Sequence, residues 1–160
     1  MTESITRILV PVDFGPHSDR ALRYATYLAA RLGASVELVH VVDNPVASGA
    51  WTAEVYVPNL PQLLESLIGE ANKRLTAMKS IVAGQGVEVE TTVLTGQPAH
   101  TIVDHARARG FDLIVMGTHG RTGLSHMFVG SVAERVVRKA PCPVMTLRDE
   151  AARSEEQRAA

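Results

Sequence analysis

Three stretches of the chain are apolar on both parities: Ile8 to Val12, Val36 to Val42 and Leu113 to Met116. A strand with one wet face alternates apolar and polar residues. A strand covered on both faces need not, so these stretches predict buried parallel strands. Val87 to Leu94 and Pro143 to Leu147 alternate more and predict strands nearer a sheet edge. The segments between follow a helical period. Asp19 to Leu32 puts Ala21, Leu22, Ala25, Leu28, Ala29 and Leu32 on one stripe, with Ser18 as N-cap and Gly33 as terminator. Gln62 to Val82 repeats the stripe through Leu63, Leu64, Leu67, Ile68, Ala71, Leu75, Met78 and Val82, closed at Gly84. Gln97 to Arg109 and Ser131 to Lys139 predict two shorter helices. Strands alternating with helices imply a single α/β domain with a parallel sheet, right-handed crossovers and helices on both faces.

Three segments break the alternation. Asn44 to Pro61, with Pro45, Gly49, Trp51, Pro58 and Pro61, predicts a long loop, and Thr118 to Gly130 a second one that contains glycines. Trp51 and Tyr56 can cover a ligand as a lid or pack against the sheet edge. Asp149 to Ala160 is a polar tail without a core of its own.

Composition narrows the function classes. The chain has 160 residues, enough for one domain, with 46% hydrophobic residues and a formal charge of -1. No global positive field draws in nucleic acid or anionic lipid. No apolar run approaches the roughly 18 residues that span a bilayer, and the N-terminus lacks the pattern of a signal peptide, so the expectation is a soluble, cytoplasmic protein. Cys142 is the only cysteine, which excludes an internal disulfide and suits a reducing compartment.

In an open parallel sheet, ligands bind beyond the carboxyl ends of the strands where connections diverge to opposite faces. The first strand ends in Pro11-Val12-Asp13. The fourth ends in Met116-Gly117 and runs into THGRTGLSHMFVGS. Gly117, Gly120 and Gly123 allow close backbone approach, and Gly130-Ser131 opens a helix whose N–H groups and dipole favour an anion. This is neither a Walker A loop nor a G-x-G-x-x-G fingerprint. Asp13 ends an apolar strand, where a carboxylate needs partners. It either caps a turn or the first helix, or it contacts a ribose, an adenine or a metal-bound water.

Gly117-x-x-Gly120, nine residues and then Gly130-Ser131 resemble the phosphate motif of the ATP-binding branch of the universal stress proteins. Ile8 to Asp13, Val39 to Asp43 and Gly130 to Val144 are similar to that family's first strands, closing helix and last strand, and the likeness runs over roughly residues 5 to 148. The resemblance implies a universal stress protein domain over residues 1–148 with a Rossmann-like, adenine nucleotide alpha hydrolase-like sheet of strand order 3-2-1-4-5. It also implies ATP as ligand, with ADP or AMP as alternatives, together with Mg²⁺. Pro11, Val12, Asp13 and Val41 would line adenine and ribose, Met116 and Gly117 the sugar side, and Gly120, Gly130, Ser131 and Val132 the phosphates. A homodimer through Val144 to Leu147 is implied as well, and a short apolar edge strand needs cover in any case. Gly15 departs from the family, which often has serine there.

Other readings carry less. His100 and His105 are five residues apart and do not share a helical face as a metal pair would, so the histidines are expected to face solvent or the phosphates. Cys142, between two prolines at a strand start, is expected to be small and buried rather than nucleophilic. Arg135, Arg138 and Lys139 suit a helix C-terminus. The functional reading is a nucleotide-dependent stress-response or regulatory protein. The alternatives are a slow ATPase or nucleotide-dependent transferase, with Asp13 and Arg121 as its charged groups, and a nucleotide-free dimeric adaptor.

Overall fold

The computed structural model describes residues 4–44, 58–118 and 130–148. Its elements are β1 (Arg7–Pro11), α1 (Pro16–Leu32), β2 (Ser35–Asp43), α2 (Leu60–Ala83), β3 (Val89–Gly96), α3 (Pro98–Arg109), β4 (Leu113–Gly117), α4 (Ser131–Lys139) and β5 (Val144–Leu147). The five strands form one parallel sheet in the order β3-β2-β1-β4-β5. The two strands with more alternation, β3 and β5, are its edges.

The both-parity runs follow from two cores on opposite faces. Ile8 and Val10 of β1 and Val36 and Leu38 of β2 pack with Ala21, Ala25 and Leu75 of α1 and α2. Leu9, Val39 and Ile114 pack with Ile102, Ala106 and Val136 of α3 and α4. Each fully buried Leu, Ile or Val contributes about 1.5–3 kcal/mol relative to exposure, so both faces are needed to hold the sheet.

Several boundaries differ from the sequence pattern. Helix α1 begins at Pro16 with Gly15 as N-cap, and Ser18 lies in the first turn instead of capping it. Proline suits that position because its missing N–H would have had no acceptor there. Leu60 and Pro61, expected in a loop, start α2 for the same reason. Leu32, Leu63 and Leu67, expected on buried stripes, are 50%, 50% and 45% exposed, and Leu28 is half-buried. The buried face of α1 narrows to Ser18, Ala21, Leu22, Ala25, Thr26 and Ala29, mostly small residues that let the helix lie close to the sheet. Gly33 is left-handed (φ 68°) and closes α1 as expected, but Gly84 stays in the right-handed region (φ -62°). Strand β3 starts two residues later than expected, because Val87 is buried as a lead-in while Val89 is the residue in register with Val36. Cys142 precedes β5 and is half-buried against the second core, where desolvation raises its thiol above the ordinary range. A raised thiol is a poor nucleophile, in keeping with a packing role.

Candidate functional site

Strands β1 and β4 are neighbours in the sheet, yet β1 leads into α1 on one face while β4 leads toward α4 on the other. Their carboxyl ends therefore open a crevice. A cavity of about 280 Å³ lies there, bounded by the ends of β1, β2 and β4 and by the first turns of α1, α3 and α4. Pro11, Val12, Asp13, Val41, Met116, Gly117, Gly130, Ser131 and Val132 all line it. Gly120, the tenth residue expected in a nucleotide site, lies outside the described residues, as do His119, Arg121, Gly123, Trp51, Tyr56 and the polar tail.

The wall at β4 depends on a missing side chain. A Cβ on Gly117 would stand 2.7 Å from His17 Cβ and 2.9 Å from its carbonyl carbon, so only glycine lets α1 cross so close to β4. At the turn after β1, Asp13 Oδ1 accepts the Gly15 N–H at 2.9 Å. The two readings of Asp13 thus coincide in one residue, which holds its own turn and also borders the cavity. A Cβ on Gly15 would approach Asp13 Oδ1 to 3.1 Å, so any side chain at this place would press on that carboxylate. Between the two lies Phe14, in the left-handed region (φ 64°), a costly conformation for a bulky residue. It is held by ring contact with His40 at 4.4 Å and by the Arg74 guanidinium 4.2 Å from its ring centre.

The α4 end of the cavity suits an anion. Gly130 N–H donates to the Thr118 carbonyl at 2.6 Å, bringing the two ends of the intervening segment together. The first intrahelical bond of α4 runs from Glu134 N–H to Gly130 O, so the N–H groups of Ser131, Val132 and Ala133 have no acceptor within the helix. All three residues line the cavity, and the helix dipole adds partial positive charge there. Toward β2 and α3 the lining is more apolar, with Val39, Val41, Pro98 and Ile102 beside His40. One pocket therefore offers a greasy slot at one end and backbone donors at the other.

Sequence reasoning missed Ser18, Val39, His40, Pro98, Ile102, Thr118 and Ala133. Proximity to named residues could have found Val39, His40, Thr118 and Ala133. Pro98 and Ile102 arrive only because the β3–α3 crossover returns over β2. His40 Nδ1 lies 2.7 Å from the Val12 carbonyl oxygen, which only accepts, so that nitrogen carries the proton. His105 is neither solvent-facing nor near the cavity: it bonds the buried Glu37 at 2.6 Å through Nε2. His100 is exposed beside Asp104. No group of three metal-binding side chains occurs among the described residues.

Family comparison agrees with this architecture. The model of the universal stress protein family matches residues 4–148. The chain belongs to the universal stress protein family. Universal stress protein YxiE of Bacillus subtilis is 35% identical over 145 residues, covering 89% of this chain and 98% of its own. The solved universal stress protein UspA of Lactobacillus plantarum has a TM-score of 0.76 at 30% identity, covering 91% of this chain and 99% of its own. A universal stress protein of Archaeoglobus fulgidus, solved in complex with dAMP, has a TM-score of 0.63 at 30% identity and covers 88% and 96% of the two chains. The crevice between β1 and β4 is thus a feature of a universal stress protein fold with strand order 3-2-1-4-5. Among the described residues of this universal stress protein, no helix is long and apolar enough to cross a membrane.

Proposed function

We propose that the protein is a nucleotide-dependent regulatory protein of the stress response that takes up an adenine nucleotide, ATP above all, in the cavity between β1 and β4. The observation that carries this reading is the pairing of an apolar slot with three N–H groups at the start of α4, in a cavity of about 280 Å³. A flat base is buried by apolar walls, whereas phosphate oxygens are held by backbone donors and a helix dipole. The archaeal relative in complex with dAMP supports an adenine nucleotide. Pro11, Val12, Asp13 and Val41 would contact base and ribose, Met116 and Gly117 the sugar side, and Gly120, Gly130, Ser131 and Val132 the phosphates.

Mg²⁺ fits this arrangement in a limited way. Asp13 and Ser131 are hard oxygen donors lining the cavity, and Mg²⁺ is commonly held by one or two carboxylates together with substrate phosphates. The ion would come with the nucleotide and balance phosphate charge. The proposed role is a cytoplasmic one, in keeping with a single cysteine. A homodimer through β5 is part of the same proposal: Val144, Met145, Thr146 and Leu147 are all half-buried, and among the described residues one side of this edge strand lacks a partner in the sheet.

Gly130 has an extended backbone (φ -59°, ψ 151°) that any residue adopts, so Gly130→Leu tests the site without backbone strain. Titration calorimetry with Mg·ATP is expected to show at least a tenfold loss of affinity, with Tm in the absence of nucleotide within about 2 °C of wild type. Unchanged affinity would remove the proposed phosphate end.

A further inference from the structure

The cavity has a middle as well as two ends. The sheet order β2-β1-β4 places the apolar slot at β2 and the N–H groups of α4 beyond β4, with β1 and the turn into α1 between them. A nucleotide lying with its base in the slot and its phosphates at α4 has its sugar over that central turn. Two polar residues of the turn border the cavity, Asp13 and Ser18.

Ser18 is 4% exposed, and its hydroxyl donates to the Gly15 carbonyl at 2.9 Å. A serine hydroxyl has one proton and two lone pairs. With the proton committed to Gly15, Ser18 Oγ meets a ligand only as an acceptor. Asp13, as a carboxylate, is acceptor-only too, and its Oδ1 already takes the Gly15 N–H. The two side chains of the central turn therefore present acceptors, which suit groups that donate. Sugar hydroxyls are such donors.

We infer that Ser18 Oγ accepts a hydrogen bond from a ribose hydroxyl and, beside Asp13, makes the site selective for ribonucleotides over deoxyribonucleotides. This inference rests on the nucleotide reading of the cavity. Selectivity arises because a nucleotide lacking that hydroxyl leaves a desolvated acceptor unpaired.

The test compares ATP, 2′-deoxy-ATP and 3′-deoxy-ATP on wild type, Ser18→Ala and Ser18→Thr by titration calorimetry, with Mg²⁺ present throughout. Wild type is expected to bind ATP roughly fivefold or more tighter than one of the two deoxy analogues beyond any contribution of Asp13. Ser18→Ala is expected to lose that factor for ATP while binding the same analogue as wild type does, and Ser18→Thr, which keeps the hydroxyl, restores the preference. The Gly15 carbonyl keeps the Asp19 N–H at 3.1 Å, so the alanine variant retains an anchored first turn. Equal losses for all three nucleotides, or none, in Ser18→Ala would overturn the role of Ser18 while leaving the cavity's nucleotide reading intact. If wild type bound none of the three, the nucleotide reading would fall and this inference with it. Should the alanine variant not fold, wild type and Ser18→Thr binding all three nucleotides equally would overturn the inference.

Discussion

The two ends of the sheet use their polar groups in different ways. At the amino end the groups satisfy one another. Glu37, its side chain only 3% exposed, accepts from Thr92 at 2.8 Å and His105 at 2.6 Å, and Arg109 stands 3.5 Å from its second oxygen. Arg109 also reaches Glu90 at 3.1 Å. Nearby, Asp112 Oδ2 accepts from the Thr6 N–H, the Thr6 hydroxyl and the Arg7 N–H at 2.8, 2.8 and 2.9 Å. At the carboxyl end, Asp13, Ser18 and the first N–H groups of α4 border a cavity. A parallel sheet makes this asymmetry natural, since every strand leaves toward its helix from the same end and the diverging connections of β1 and β4 hold that end open. Closed polar networks stabilise; polar groups that border a cavity can also meet a ligand.

Breaking the closed end is expected to have the largest effect on stability. Glu37→Ala leaves Thr92 and His105 facing a buried gap, so chemical denaturation should show a loss of about 3 kcal/mol. Nucleotide affinity of the folded fraction should stay within about twofold, because none of the network's residues lines the cavity. A tenfold loss of affinity in that variant would dissolve the contrast between the two ends.

Gly117→Ala attacks the open end through packing. The new methyl must displace the His17 backbone, for which about 1–3 kcal/mol of destabilisation is expected in the same denaturation experiment. Since α1 and β4 both border the cavity, affinity should fall here as well, which Glu37→Ala does not do.

The smallest effect concerns pH. The Thr6 N–H, with help from the Thr6 hydroxyl and Arg7, holds the Asp112 carboxyl below its ordinary value against the opposing effect of burial. A carboxylate whose folded value is depressed stabilises fully above the ordinary range near 4, and the contribution is lost as pH falls through the lower folded value. Asp112→Asn should therefore cost about 1 kcal/mol at pH 7, with the gap to wild type closing in thermal melts as pH falls below the ordinary carboxylate range. A gap that persisted at low pH would mean that packing, not charge, makes the difference.

Fold and site were legible to different depths. The β1, β2 and β4 runs declared themselves because burial on both faces removes alternation, and the helices because a stripe must face the sheet. The leucines Leu32, Leu63 and Leu67 misled, since a periodic pattern shows which residues share a face and not how far along the helix the sheet extends. Glu37 and His105 were invisible for a related reason: a charged residue inside an apolar run has no marked partner until α3 is laid across β2 and β3.

By itself the sequence determined the element order, the both-sided burial of the central strands, the glycine and serine at the start of α4 and the carboxylate at the end of β1. All of these depend on local periodicity or on residues adjacent in the chain. Tertiary structure alone decided that Ser18 borders the cavity instead of capping α1, that Pro98 and Ile102 complete its apolar end, and that Glu37 finds His105 and Arg109 across 68 and 72 residues of chain. Such contacts are set by the strand order and the closeness of helix to sheet, which no short stretch of sequence encodes.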